Sequence, residues 1–321
     1  MATGARAGES NPVTEGSGSA GPVPMSLDGR DPLVVPVLSG AGGVGRSTVA
    51  AILAAALNHR TADHSGRVVA VCDVSPRSAS PWPHWVDHAA VRGTGWLAAC
   101  TASRGASARD VRQAASAMYV GERGPVWVLS DTGEPQPGFG GADPGPQFWA
   151  PALPCVRAAV IDADAMEGFR LVRQRAGGEL SVAAAWLRTP AVRAAAVWVT
   201  DPKPGALART LEAITLAEEC GLSARRFIVV INDCSGQDWT PRSRSRRTLL
   251  ADRVGAIVEM GHKSARRREC RPRLTARQLN APEITDLVTA VVTVASQGRR
   301  LPSGRLAAAP GFERPLWPRQ P

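Results

Sequence analysis

Lysine is almost missing from this chain. Lys203 and Lys263 are its two lysines among 38 basic residues, which leaves 36 arginines. Any mechanism that needs a lysine ammonium before position 203 is excluded, and so is the Tyr-x-x-x-Lys pair of a dinucleotide oxidoreductase, because the lone tyrosine is Tyr119. No apolar run approaches the roughly 18 residues that span a bilayer, which argues against an integral membrane protein. The six cysteines, at 72, 100, 155, 220, 234 and 270, form no CxxC pair and have no histidine at ligand spacing. A zinc site and a disulfide framework are therefore not expected, and reduced thiols in a cytoplasmic protein are. Residues 1–31 are rich in Gly, Ser, Ala and Pro without the apolar core of a signal peptide, and read as a disordered leader. Scarce lysine beside abundant Arg, Ala, Gly and Trp points to a GC-rich, actinobacterial genome.

What is present is a core-forming composition, 44% hydrophobic, arranged as short β-branched runs alternating with Ala/Leu/Arg stretches. The expected strands are 33–38, 68–73, 126–130, 158–162, 196–200, 227–232 and 256–259. Their apolar runs are nearly continuous, as in strands covered by helices on both faces, so the expectation is a doubly wound, mostly parallel α/β sheet of about seven strands. Pro36 conflicts with this reading, since a proline in a central strand removes a ladder hydrogen bond. Helices are expected over 47–58, 206–220 and 284–296, the second stopped by Gly221. The division of the chain is then a leader over 1–31, one domain over 32–297 and an Arg/Pro-rich tail over 298–321.

The most informative stretch runs from Leu33 to Leu57, where an apolar run enters Ser39-Gly40-Ala41-Gly42-Gly43-Val44-Gly45-Arg46-Ser47-Thr48 and leaves as an Ala/Leu helix. Glycines let backbone N–H groups converge on an anion, and a helix N-terminus adds partial positive charge there. Two phosphate-binding patterns fit. Gly40, Gly45, Arg46 and Ser47 match GxxxxGK[ST] with Arg for Lys; Gly40, Gly42 and Gly45 match GxGxxG, with Asp73 closing the next strand as the ribose acid. The hydroxyls of Ser47 and Thr48 favour the first, because a magnesium ion needs one and a dinucleotide turn does not. Asp73 also lies 28 residues after Gly45, beyond the roughly 20 usual for a ribose acid. A glycine turn that joins strand to helix without any ligand is the plain alternative.

Residues Ala41 to Thr48 resemble the KGGVGKST loop of the ParA/MinD family of partition and positioning ATPases. Val71-Cys72-Asp73-Val74-Ser75-Pro76-Arg77 is similar to that family's DxDPQ motif, the 158–162 strand with Ala163-Asp164 to its Walker B strand, and Val197 to Pro202 with the following helix to its next strand and helix. Phe227 to Asn232 resembles the strand whose final Asn reads adenine. The resemblance spans residues 32–297. It implies a P-loop NTPase-like fold that holds ATP or ADP through Gly42, Gly43, Val44, Gly45, Arg46, Ser47, Thr48 and Asn232, with Mg2+ at Ser47, Asp73 and Asp162. It also implies a nucleotide-sandwich homodimer and a role in plasmid or chromosome partition, conjugative transfer or protein positioning, with a protein partner still to be identified.

Three departures fall on positions that matter in the family. Ala41 replaces the lysine that reaches the partner's phosphates, Arg46 replaces the lysine that cradles the β- and γ-phosphates, and Ser75 replaces the acid that orients water. Arg keeps the charge of Lys but not its compact geometry. The expectation is a degenerate Walker A site with impaired hydrolysis and no residue assigned a catalytic role.

Between Gly221 and Asn280 fourteen basic residues face five acids. In ParA-like proteins such a segment binds DNA non-specifically, which makes Arg266, Arg267, Arg268, Arg271 and Arg273 candidate phosphate contacts. A solvated Arg-rich surface is the alternative. The tail holds several prolines and no apolar periodicity, so the amphipathic membrane helix of MinD relatives is not expected. Two competing readings remain: a nucleotide-independent DNA-binding or interaction protein on the same scaffold, and a less favoured NAD(P)-dependent oxidoreductase.

Overall fold

The structure is a computed structural model and describes residues 31–61, 67–73, 81–85, 116–119, 124–130, 156–163, 182–189, 192–234, 239–261 and 274–298. The expected leader, apart from Asp31, and the expected tail, apart from Gly298, lie outside these residues.

The strands are β1 (Leu33–Ser39), β2 (Val68–Asp73), β3 (Ser116–Tyr119), β4 (Pro125–Ser130), β5 (Val156–Asp162), β6 (Arg193–Ala194), β7 (Ala196–Thr200), β8 (Phe227–Cys234) and β9 (Ala256–Gly261). They form one sheet in the order β3-β4-β2-β5-β1-β7-β8-β9, with β6 beside β1. Every pairing is parallel except β3 with β4. All seven expected segments are strands, and the sheet gains β3 and β6. These two hold four and two residues, too few for an apolar period to stand out in sequence.

Pro36 is accommodated at an interruption. Beside β1 the register Leu33↔Arg193 and Val34↔Ala194 resumes as Val37↔Val197, so the ladder skips Val35 and Pro36. The carbonyls of Pro32 and Val34 accept from Arg193 and Ala195 on that side. Residues of one parity face one neighbour, so the missing N–H of Pro36 points at this gap between β6 and β7, while its β5 side keeps unbroken register.

The described helices are α1 (Arg46–Arg60), α2 (Trp82–Trp85), α3 (Val182–Arg188), α4 (Pro204–Glu219), α5 (Pro241–Arg253), α6 (Ala276–Leu279) and α7 (Pro282–Gln297). Strand parity sorts the core into two layers. Leu33, Val35 and Val37 pack with α1, α2, α6 and α7, whereas Val34 and Leu38 pack with α3, α4 and α5. Helix α1 is buried at every position from Val49 to Leu57, which its Ala-rich sequence permits by letting the helix approach the sheet closely. Arg60 pins its end to the Leu279 carbonyl at 3.1 Å and the Thr285 hydroxyl at 2.7 Å; burial holds its guanidinium below the ordinary arginine value.

Helix α4 starts on Pro204, where a missing N–H costs nothing. It stops at Gly221 (φ 78°): the Gly221 N–H donates to Glu218 at 2.8 Å and that of Leu222 to Ala217 at 2.9 Å, the paired bonds of a glycine-terminated helix. Helix α7 buries Ile284, Leu287, Val288, Val291, Val294 and Ala295, one stripe at helical spacing. Among the described residues no helix is long and apolar enough to cross a membrane.

Candidate functional site

Strand β1 sits at the point where the sheet changes winding direction: β2 lies to one side beyond β5, and β7 to the other. In doubly wound sheets a crevice opens at the carboxyl ends of such strands. The chain leaves β1 there as Gly40 to Gly45, and α1 begins at Arg46.

The shape of the loop follows from its glycines. Gly43 (φ 77°) and Gly45 (φ 86°) occupy the left-handed region that disfavours a side chain. The hydroxyl of Ser39, fully buried, donates to the Ala41 carbonyl at 3.0 Å and folds the loop back on its strand. A β-carbon on Gly42 or Gly43 would meet nothing within 4 Å, so this part of the loop borders open space. Gly40 is tighter, at 3.2 Å from the Trp198 ring.

The first intrahelical bond of α1 runs from the Val49 N–H to the Gly45 carbonyl at 2.9 Å. The N–H groups of the preceding turn have no acceptor within the helix. Gly45 supplies no side-chain cap and the first turn holds no acid, so the positive end of the helix is not neutralised from within it. Ser47 and Thr48 are half-buried in this turn.

Asp162 ends β5. It shares the parity of Ala158 and Val160, which pack on the α1 side of the sheet, and it is 0% exposed. Its Oδ1 accepts from Arg46 Nε at 2.8 Å, an ion pair in which the Arg46 side chain is 11% exposed. Its Oδ2 accepts from Trp82 Nε1 at 2.7 Å. Trp82 is itself fully buried and packs edge-on against Trp85, with ring centroids 5.1 Å apart. Asp73 ends β2 in register with Asp162 and is also buried. Asn232, near the end of β8, donates from Nδ2 to the Val44 carbonyl at 2.8 Å and so braces the loop.

The structure therefore gathers Gly42 to Thr48, Asp73, Asp162 and Asn232 at one edge of the sheet. Ser75 and Arg266, Arg267, Arg268, Arg271 and Arg273 lie outside the described residues. The participation of Trp82 was not foreseen: in sequence, Pro81 to Trp85 with His88 invites a cofactor-box reading or, as favoured, an aromatic cluster packing a loop over the sheet, and neither announces a bond to Asp162. Each carboxylate oxygen of Asp162 accepts one N–H and keeps a second lone pair, and the Ser47 hydroxyl and Asp73 lie at the same edge, so these residues are compatible with a magnesium ion carried in with substrate phosphates; among the described residues no group of three or more His, Cys, Asp or Glu is placed to hold a metal by itself.

Much of the basic stretch serves the fold. Arg225 donates to the carbonyls of Val254 and Asp252, and Arg226 to those of Leu187 and Ala194. Burial lowers the Arg226 guanidinium from its ordinary value. Arg246 donates to the Pro204 carbonyl, Arg247 pairs with Glu259, and Arg253 pairs with Glu218. Arg242 and Arg244, at the start of α5, are exposed.

No protein-family model and no curated protein matches the chain. Solved structures do. A ParA family ATPase from Chlorobium tepidum matches with a TM-score of 0.52 at 13% identity, over 82% of this chain and 98% of that one. The cell division ATPase MinD of Pyrococcus furiosus matches with a TM-score of 0.47 at 20% identity, over 84% and 98%. Apo McdA of Cyanthece gives 0.48 at 14%, over 82% and 98%. The parallel sheet, its winding and the glycine turn define a P-loop type of α/β domain. More particularly, the Chlorobium match shows that its fold is ParA/MinD-like.

Proposed function

We propose that this chain is a ParA/MinD-like nucleotide-binding protein that takes the phosphates of ATP or ADP on the loop from Gly42 to Thr48. The observation that carries this reading is the loop itself: two glycines at positive φ, open space over Gly42 and Gly43, and an uncapped helix start with Arg46 at its base. Backbone N–H groups in this arrangement bind anions without side-chain help. Asn232 serves the base side through its amide oxygen, since its nitrogen holds Val44.

Hydrolysis is slow or absent on this reading. Ala41 and Ser75 each remove a group that would position or stabilise the transferring phosphate, and one such loss costs about 10²- to 10³-fold in rate. On this reading the protein acts as a cytoplasmic switch in plasmid or chromosome partition, conjugative transfer or protein positioning. A homodimer and a protein partner belong to the same proposal.

The test is a thermal-shift and calorimetric titration with ATP and ADP in magnesium buffer. Saturable binding is expected; no shift at millimolar nucleotide rejects the reading. A second reading, a nucleotide-independent DNA-binding protein, is favoured by the exposed Arg242 and Arg244, which would add to the phosphate contacts expected at 266–273. Salt-dependent DNA binding by a chain that ignores nucleotide would select it.

A further inference from the structure

A nucleotide's phosphates carry several negative charges, and the loop meets them with little side-chain charge of its own. From Ser39 to Val49 the one charged residue is Arg46, which is ion-paired with the buried Asp162. Asp73 adds a second buried carboxylate at the same edge. Magnesium carried in with the phosphates cancels part of their charge and leaves the remainder to the protein. Another cation stands at this edge on the strand paired directly with β1. Ser39 is in register with Val199 of β7, so Lys203 lies four residues past the ladder on one side, as Gly43 does on the other. The two segments run close together there, since a β-carbon on Gly40 would be 3.2 Å from the Trp198 ring.

The fold has no evident use for the Lys203 ammonium. The side chain is 80% exposed, and its ion pair with Asp201 spans 3.7 Å from Nζ to Oδ2, beyond hydrogen-bond range. Lys203 is the N-cap residue of α4, with no side-chain cap and no acid in the first turn that follows. A cation there faces the positive end of the helix dipole, the end that favours anions. The backbone, in contrast, is well fixed. The Lys203 N–H donates to Asp201 Oδ1 at 2.9 Å, and its carbonyl accepts from the N–H groups of Ala206 and Leu207, each at 3.1 Å. Local preference is thus broken at one exposed position beside the loop, where a bound anion would relieve the conflict by satisfying both the ammonium and the helix start.

We propose that Lys203 is a phosphate contact of this chain: from the start of α4 its ammonium reaches along the carboxyl edge of the sheet to the polyphosphate held on the loop from Gly42 to Thr48. The proposal rests on the nucleotide-binding reading above and adds to that site a residue outside the loop. An ammonium on a flexible four-carbon stem can swing from Asp201 to a phosphate oxygen while the backbone stays in place.

The experiment is calorimetry of the full chain with ATP in magnesium buffer, comparing the parent, Lys203→Ala and Arg209→Ala at low and high salt. Arg209 is also exposed and lies six residues further along α4, about 9 Å from the edge at helical rise. Its loss removes the same charge from the chain without touching the edge. Lys203→Ala is expected to weaken ATP binding by about three- to tenfold at low salt and by less at high salt, with Arg209→Ala within about twofold of the parent. Affinity of Lys203→Ala within about twofold of the parent at low salt, or an equal loss in Arg209→Ala, overturns the proposal. No binding by the parent rejects the nucleotide reading itself, so the two failures are distinguishable. Acetylation of Lys203 in the unaltered chain, followed by peptide mass spectrometry, is the second measurement: saturating ATP is expected to slow it, and an unchanged rate overturns the proposal.

Discussion

A β-carbon added to Gly45 would stand 2.3 Å from Nδ2 of Asn232, the same nitrogen that donates to the neighbouring Val44 carbonyl at 2.8 Å. Gly45 also has φ 86°, where any other residue is strained. Gly45→Ala therefore meets two penalties, an unfavourable backbone and loss of the brace. A loss of about 2 to 4 kcal/mol is expected by chemical denaturation, combining left-handed strain with a broken hydrogen bond. Gly45→Ala as stable as the parent would show that the loop is not braced by Asn232.

Gly42→Ala separates binding from folding. Its β-carbon meets nothing within 4 Å and its backbone is not left-handed. Stability should change by no more than about 0.5 kcal/mol, while the added methyl intrudes on the space assigned to phosphate. Weaker nucleotide binding at unchanged melting temperature is the expected pair of results; unchanged binding would move the phosphates away from Gly42.

Arg46 and Asp162 should behave as one unit. Arg46→Ala leaves a fully buried carboxylate that has lost its ion-pair partner while keeping the Trp82 hydrogen bond, a change expected to cost about 3 kcal/mol or more. Asp162→Asn removes the charge that Arg46 pairs with. In a double-mutant cycle by denaturant titration, the combined variant should be less destabilised than the sum of the two by about 1 to 3 kcal/mol. Simple additivity would mean that the 2.8 Å contact is not coupled in solution.

Gly255 is closed to substitution for a different reason. Its β-carbon would lie 2.4 Å from the Arg225 carbonyl oxygen and 2.8 Å from Val294, and its N–H is bound to the Phe227 carbonyl at 2.8 Å. A backbone oxygen cannot step aside as a flexible side chain can. Gly255→Ala should cost about 1 to 3 kcal/mol, read as a lower denaturation midpoint with an unchanged slope.

The arginines should divide into two sets. Arg226→Ala removes a half-buried clamp on two backbone carbonyls and should lose about 2 kcal/mol of stability. Arg242 and Arg244 changed to Ala, together with Arg266, Arg267 and Arg268, should leave stability near the parent while weakening DNA binding and flattening its salt dependence, read by gel shift across a salt series. DNA affinity that survives these changes would return the segment to a solvated surface.

Alternation of β-branched runs with Ala/Leu stretches was legible in the sequence because it is local: each segment carries its own periodicity, and the glycine loop carries its own conformational demand at Gly43 and Gly45. That is why seven strands, the helices α1, α4 and α7 and the position of the loop were anticipated within a few residues. Helix α5 was not, because its arginines and serines show no strong apolar stripe; it is placed by the Thr240 cap and the buried Leu250. Pro36 read as a contradiction until the sheet supplied a gap for its missing N–H.

The sequence by itself determined a doubly wound α/β domain with a phosphate-type loop lacking both lysines of the family it resembles. Tertiary structure alone decided what the replacement at 46 does. Arg46 and Asp162 are 116 residues apart and Trp82 and Asp162 are 80 apart, so no local pattern links them. They meet because parallel pairing turns Asp162 toward the α1 face and burial leaves its carboxylate to be satisfied by protein N–H groups rather than by water.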